Sequence, residues 1–126
     1  MPYPSDLKYT KDHEWLRIDG DTAIIGITDY ALEQLGDVVH VELPSEGEEF
    51  EAGSTFGTIE STKTVSDLYM PATGKISAVN SDIEDQLETL AESPYDKGWL
   101  VKISISSLGD DLISAEEYET FISEDE

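Results

Sequence analysis

Short apolar runs separated by turn residues extend through most of the chain, and they constrain its fold more than any other feature. Runs such as Thr22–Ile27, Thr55–Ser61 and Trp99–Ile105 alternate or cluster apolar residues over a few positions, with Gly, Pro, Asp or Asn between them. Runs of this length and spacing are typical of strands in antiparallel sandwiches and barrels. A chain of 126 residues has room for one core. The sequence therefore predicts a single, mainly β domain.

Local turn signals place the strands. Asp19-Gly20 marks a hairpin, and Pro44 ends a strand on which Val39, Val41 and Leu43 share one face. The strands expected in chain order are 9–18, 22–27, 39–43, 55–61, 66–70, 75–80 and 99–105.

Capping residues predict three helices. The first covers 29–35, between the cap Thr28 and Gly36. The second, of about three turns, follows the capping box Ser81–Glu84 and has Ile83, Leu87 and Leu90 on its apolar face. The third covers 115–122, follows the box Ser114–Glu117, and has Tyr118, Phe121 and Ile122 on its apolar face. Pro94 is expected to end the second helix, and residues 123–126 are expected to fray.

The formal net charge of −22 excludes several partners. Nucleic acids and anionic membranes require clustered cations. Like-charge repulsion of this size is relieved by abundant counterions, so a halophilic source is expected. Residues 52 to 80 depart from the pattern, because they contain only two acids and two lysines. No cysteine, bilayer-length apolar run or signal peptide pattern is present, and a cytoplasmic location is expected.

The sequence offers little support for catalysis or for a metal site. It has no phosphate-binding glycine loop and no nucleophile elbow. Asp19-Gly20-Asp21 begins like a calcium loop, but Ala23 occupies a ligand position. His13 and His40 lack metal-ligand spacing. We therefore expect no catalytic residues and no metal.

Lys63 is the residue most suggestive of chemistry. It lies on the predicted turn 62–65 between two nearly uncharged strands. A rigid hairpin with an exposed amine at its tip suits covalent attachment of a flexible group. An ordinary solvated turn lysine has the same local sequence, because exposed lysines are common. These residues alone leave both interpretations open.

The segment from Glu60 to Gly74 resembles the lipoylation site of the glycine cleavage system H-protein family, whose pattern is close to Glu-Ser-x-Lys-x-x-Ser-Asp-x-x-x-Pro-x-x-Gly. Further similarity lies in 9–15, 26–31, 35–44, 93–95 and 98–103, so the resemblance covers about Leu7 to Phe121. Departures lie at Thr62, at Leu87 and Ala91, and at Asp96-Lys97.

This resemblance implies a lipoyl/biotinyl-type barrel-sandwich hybrid of two antiparallel sheets, with short helices and a C-terminal helix. The whole chain, 1–126, would be one lipoyl-carrier domain, with a core of about 22–105, an N-terminal strand extension at 7–18 and a C-terminal helix at about 114–122. It implies lipoate covalently attached to Lys63. Glu60 and Gly74 would be recognised by the lipoylating enzyme, and Glu14, Asp67 and Asp12 would hold the docked arm.

The implied function is that of a non-catalytic, monomeric carrier in glycine catabolism and one-carbon metabolism. It would take an aminomethyl group from the pyridoxal-phosphate glycine decarboxylase (P-protein) and present it to the aminomethyltransferase (T-protein). Dihydrolipoyl dehydrogenase (L-protein) would then reoxidise the arm.

Three alternative functions would require different residues or surroundings at this lysine. A lipoyl domain of a 2-oxoacid dehydrogenase complex would carry Asp where Thr62 stands, and a biotin carrier would carry Met in place of Thr62 and Thr64. A Schiff-base role for Lys63 is disfavoured, because such a lysine requires desolvation or a nearby cation, whereas this one lies on an exposed turn near Glu60 and Asp67. A carrier that donates lipoyl groups to other proteins remains open.

Overall fold

The computed structural model describes residues 6–10, 12–93, 95–108 and 112–125. Within these ranges the chain forms short strands and helices. The strands are β1 (Lys8–Tyr9), β2 (Glu14–Asp19), β3 (Thr22–Ile27), β4 (Val38–Glu42), β5 (Glu49–Phe50), β6 (Thr55–Ser61), β7 (Val65–Tyr69), β8 (Ala72–Val79) and β9 (Val101–Leu108). The helices are α1 (Asp29–Leu35), α2 (Asp82–Asp85), α3 (Glu88–Glu92) and α4 (Ala115–Asp125).

The strands form two antiparallel sheets. One has six strands in the order β1-β2-β3-β9-β8-β5, and the other has three in the order β4-β6-β7. Both sheets contribute to the main hydrophobic core, which includes Ile25 and Ile103 from the first and Val41 and Ile59 from the second. The predicted fold class, mainly β with two antiparallel sheets, short helices and a C-terminal helix, is confirmed.

A second apolar cluster joins the two ends of the chain. Tyr9 and Trp15 from the N-terminal strands pack with Tyr118 and Ile122 of α4. The rings of Tyr9 and Tyr118 are stacked with their centroids 5.0 Å apart. The N-terminal strands and the C-terminal helix therefore stabilise each other.

The predicted strand 9–18 is wrong in its length, because a turn divides it into β1 and β2. His13 has a positive φ of 71°, and its amide donates to the carbonyl of Thr10 over 3.1 Å. A non-glycine residue in this region of backbone space is uncommon and breaks an extended segment. The hairpin at Asp19-Gly20 is confirmed, with Asp19 paired to Thr22.

Three further strand predictions need correction. The register of β4 against β6 shifts between Val38 and His40, so Val39 is 48% exposed whereas Val41 is buried. A bulge of this kind turns a side chain to the opposite face. The last two strands also have different bounds from those expected, since β8 begins at Ala72 and β9 covers Val101–Leu108.

The predicted three-turn helix after Ser81 is wrong. Two short helices, α2 and α3, are separated at Gln86, whose φ of −132° and ψ of 65° are not helical. Ser81 makes no side-chain capping bond. Ile83 and Leu90 are nevertheless buried in the core, because each short helix packs its own apolar residue inward. The expected stop at Pro94 lies outside the described residues.

The other two helices form where their caps predict them. The Thr28 hydroxyl accepts from the Ala31 amide at the start of α1, and Gly36 follows its end with a φ of 82°. In α4, the Ser114–Glu117 box makes both expected hydrogen bonds, at 3.1 and 3.2 Å. The helix continues through residues 123–125 instead of fraying, and residue 126 lies outside the described part.

Candidate functional site

Lys63 lies on an exposed turn whose backbone is held by the side chain of Ser61. The Ser61 hydroxyl accepts hydrogen bonds from the amides of Lys63 and Thr64, each at 3.2 Å. The Ser61 amide donates to the carbonyl of Thr64 over 2.8 Å. A serine that bonds to the backbone two and three residues later fixes a tight turn. The root of the Lys63 side chain is therefore held in place, and the residue as a whole is exposed.

The loop that follows α1 supports this turn from the side. The Thr62 amide donates to the carbonyl of Asp37 over 3.1 Å. A Cβ on Gly36 would lie 3.3 Å from Cε of Lys63, and the φ of 82° at Gly36 also favours glycine. The lysine side chain therefore lies against the backbone just beyond the helix end.

Exposed residues of the three-stranded sheet surround Lys63. Glu60 is exposed on β6 and is paired with His40 of β4 and with Val65 of β7. Val39 and Val65, at 48% and 59% exposure, are the large apolar side chains that stand out to solvent in the described part of the chain. Glu60 therefore belongs to the same exposed surface as Lys63.

Gly74 lies in the other sheet. It is buried in β8, where it pairs with Phe50, and a Cβ there would lie 2.4 Å from the carbonyl oxygen of Ser104. A Cβ atom cannot approach a carbonyl oxygen this closely without a steric clash. Close packing of β8 on β9 therefore requires glycine at this position. Gly74 is not a turn residue, and it lies in a different sheet from Glu60 and Lys63.

The three carboxylates expected to hold the arm line one cavity of about 210 Å³. We call it the cleft. It lies between the turn before β2, one face of α1 and strand β7, and its lining is Asp12, His13, Glu14, Ile27, Tyr30, Ala31, Gln34, Leu35, Ile59, Ser66, Asp67 and Leu68. Asp12 and Asp67 are exposed at this site, whereas Glu14 is only 2% exposed. The cleft therefore combines two solvated acids with one buried acid.

Glu14 is held by two residues that the sequence does not single out. Its Oε1 accepts from the Thr10 hydroxyl and its Oε2 from the Tyr69 amide, both at 3.0 Å. Burial outweighs these two hydrogen bonds and raises the pKa of Glu14 to about 8. Glu14 therefore holds a proton near pH 7, unless a cation enters the cleft.

The cleft is also connected to α4. His13 Nδ1 lies 2.8 Å from the Tyr118 hydroxyl, which lies 2.8 Å from the Thr28 hydroxyl at the cap of α1. The turn before β2, the start of α1 and the C-terminal helix are thus joined through one buried tyrosine. No sequence motif indicates this connection, because the three segments are far apart in the chain.

Metal and membrane sites receive no support. No group of His, Asp and Glu among the described residues could hold a metal ion. Within the same ranges, no helix has the length and apolar character needed to cross a bilayer.

The chain is similar to known proteins over nearly its whole length. The sequence model of the family described as glycine cleavage H-protein matches residues 7–125. The chain is 51% identical to a glycine cleavage system H protein of Staphylococcus haemolyticus, covering 98% of this chain and all of that protein. It is 49% identical to one of Herpetosiphon aurantiacus, covering 97% of this chain and 95% of that protein. The crystal structure of a glycine cleavage system H protein from Mycobacterium marinum matches with a TM-score of 0.91 and 44% identity, covering 96% of this chain and 99% of that one.

Proposed function

Because the chain belongs to the glycine cleavage H-protein family, we propose that Lys63 carries a lipoyl group in amide linkage. Proteins of this family are carrier components of the glycine cleavage system and not catalysts. The observation that carries the proposal is the position of Lys63 on an exposed turn whose backbone is fixed by Ser61. A rigid root and a free amine are what a long tether requires.

The proposed cargo is an aminomethyl group, taken from the pyridoxal-phosphate glycine decarboxylase and delivered to the aminomethyltransferase. The lipoyl group, when attached, supplies the disulfide and thiol chemistry, which dihydrolipoyl dehydrogenase would reset; the chain itself has no cysteine. Lys63 provides the attachment point, and the turn directs the tether.

The cleft is proposed to hold the amine of the cargo between visits to the two enzymes. An amine is cationic near neutral pH, and Asp12, Glu14 and Asp67 line the same cavity. A cation beside Glu14 favours its ionised form, so the buried acid would become a charged partner as the amine arrives. Charge-assisted hydrogen bonds of this kind are among the stronger ones in proteins.

We propose Glu60 as a contact of the lipoylating enzyme, since it is exposed on the strand that leads to Lys63. Gly74 would contribute indirectly, by allowing β8 to lie close to β9. We further propose that the protein is a monomer and that it acts in the cytoplasm of a cell with high internal salt.

The attachment site is tested by mass. Protein from its native host, or co-expressed with a lipoylating enzyme, should gain one lipoyl group, and peptide mapping should place it on Lys63. Lys63→Arg keeps the charge but cannot form the amide, so it should fold normally and gain no mass. Lys75→Arg and Lys102→Arg are the matched controls and should be fully modified. Modification that persists in Lys63→Arg would overturn the assignment.

The cleft is tested separately, by the lifetime of the protein that carries the aminomethyl cargo. Glu14→Gln and Asp67→Asn should each shorten that lifetime by about one to two powers of ten, the equivalent of roughly 1.5 to 3 kcal/mol. Glu33→Gln changes an acid outside the cleft and should have no effect. Lipoylation of Lys63 should be complete in all three. Wild-type lifetimes in both cleft variants would show that these acids do not hold the cargo.

A further inference from the structure

A second and larger cavity lies on the other side of α1. We call it the groove, and its volume is about 730 Å³. The groove is lined by Asp29, Leu32, Glu33, Gly36, Asp37, Val38, Asp85, Leu87, Glu88 and Leu90. The cleft uses Tyr30, Ala31, Gln34 and Leu35 of the same helix. Two opposite faces of one seven-residue helix therefore form walls of two different cavities.

The groove has an apolar floor and an acidic rim. Its leucines come from α1 and from the region of α3, and Leu32 and Leu90 are part of the main core. Glu33, Asp37, Asp85 and Glu88 are exposed at its edge. None of the described residues that line it is a lysine or an arginine. A surface of this kind complements a protein segment that presents an apolar side chain flanked by basic ones.

The groove begins where the root of the proposed arm lies. Gly36 lines it, and Nζ of Lys63 lies 3.7 Å from the position that a Cβ on Gly36 would occupy. The Lys63 ammonium is thus a cation at the edge of an acidic surface. Acylation would convert that ammonium to a neutral amide and leave the carboxylates without it.

The position of α1 favours one of the proposed partners. The enzyme that loads the arm must hold the carrier while leaving the cleft open, because the loaded amine is to be withdrawn there. An enzyme seated in the groove meets this requirement, since α1 stands between the groove and the cleft.

We propose that the groove is the docking site for a basic segment, with an apolar side chain at its tip, on the glycine decarboxylase, and that neutralisation of Lys63 strengthens this docking. The inference rests on the proposed function for its choice of partner. The affinity of the groove for its partner therefore depends on whether Lys63 is modified, through the charge at the edge of the groove, and this dependence requires no contact with the arm.

Equilibrium binding to the pyridoxal-phosphate-loaded glycine decarboxylase of the same organism tests the groove. Calorimetric titration at about 0.2 M KCl, where the Debye length is about 7 Å, retains short-range electrostatics. Glu33→Lys combined with Glu88→Lys should raise Kd at least tenfold. Glu46→Lys combined with Glu51→Lys makes the same charge change outside the groove and should raise Kd less than threefold. Equal shifts in the two double variants, or no shift in either, would overturn the proposal. Circular dichroism at the same salt verifies folding.

The charge effect is tested without any lipoyl group. Lys63→Gln is neutral and Lys63→Arg is cationic, and neither can be lipoylated. A partner cation about 4 Å from the side-chain end, in a water-like dielectric at the same salt, should make Lys63→Gln bind about threefold more tightly than Lys63→Arg. Identical Kd values would show that the charge at position 63 does not affect binding at the groove. This comparison stays valid if mass analysis finds Lys63 unmodified, so failure of the proposed function and failure of the groove proposal are distinguishable.

Discussion

The two cavities beside α1 differ in where they place their acids. The cleft, of about 210 Å³, contains Glu14 at 2% exposure, with a pKa raised to about 8 by burial. The groove, of about 730 Å³, has exposed carboxylates such as Glu33 and Glu88 on its rim. The pKa of a buried acid is determined by the groups that bury it. Exposed acids instead contribute together to an electrostatic potential, which salt screens. The same type of side chain therefore acts through its own contacts in one cavity and through a shared electrostatic field in the other.

The largest expected effect is on the pH dependence of stability, and it comes from the cleft. Glu14 ionises near pH 4.5 in the unfolded chain and near pH 8 in the folded protein. Between these values the folded state retains a proton that the unfolded state has lost. Glu14 therefore favours folding fully below pH 4.5, and this contribution falls as the pH rises to about 8. At about 1.4 kcal/mol per pKa unit, the total is of the order of 3 to 5 kcal/mol.

Urea denaturation of wild type and Glu14→Gln across this pH range measures that effect. The difference in unfolding free energy between the two should change with pH, since Gln does not titrate. Glu33→Gln, which removes an exposed acid on the groove rim, is the matched control. If the unfolding free energies of all three proteins changed with pH in parallel, Glu14 would make no special contribution to the pH dependence, and the two cavities would not differ in this respect.

The next effect concerns the network that holds Glu14. The Thr10 hydroxyl donates to Glu14 and also accepts from the amides of Asp12 and Glu14. Thr10→Val leaves these buried groups without their partner and should lower the unfolding free energy by about 2 to 3 kcal/mol. Glu88→Ala on the groove rim should change it by less than about 0.5 kcal/mol. Guanidinium titration at pH 7 checks both, and similar losses would mean that the cleft is no more dependent on its contacts than the groove.

A smaller effect is expected from salt. The charge of −22 repels itself, so raising KCl from about 0.1 M to 2 M should stabilise the protein by about 1 to 2 kcal/mol through screening. Glu33→Gln combined with Glu88→Gln should show a smaller gain, and Glu14→Gln the same gain as wild type. Thermal melts at several KCl concentrations measure this. A melting temperature independent of salt would contradict the expectation of a halophilic source.

The smallest effect lies at the end of α1. Gly36 and Gly47 both have positive φ, at 82° and 92°, but a Cβ on Gly47 would have open space. Alanine at either position should cost about 1 kcal/mol of stability, because this backbone region disfavours side chains. Only Gly36→Ala should shift the NMR signals of the Lys63 side chain, since its Cβ would lie 3.3 Å from Cε. Shifts of equal size in both variants would show that Lys63 does not lie against Gly36.

Features governed by neighbours in the sequence could be predicted from it. Thr28 and Gly36 bound α1, the Ser114–Glu117 box starts α4, and β6 has the predicted bounds. Each of these depends on residues within a few positions of one another. The resemblance to a known family supplied the fold class, which local signals alone left as a sandwich or barrel.

Features set by distant contacts could not be predicted. The Glu14 carboxylate accepts a hydrogen bond from the amide of Tyr69, which is fifty-five residues away. The exposure of Val39 follows from a register shift between two strands, and the interruption at Gln86 replaces one helix by two. The groove is lined by residues on both sides of that interruption, Asp85 of α2 and Glu88 of α3. Periodicity in the sequence indicates which residues favour the interior, but not which element they pack against.

The buried position of Glu14 has a consequence for the overall charge of the carrier. Burial raises the pKa of this side chain to about 8, so an ammonium group that entered the cleft near pH 7 would displace a proton to solvent. If the cleft holds the cargo amine as proposed, its docking exchanges one cation for another without a change in net charge. The carrier would then present the same net charge to its partners with or without docked cargo, and cargo retention would be linked to the pH of its surroundings.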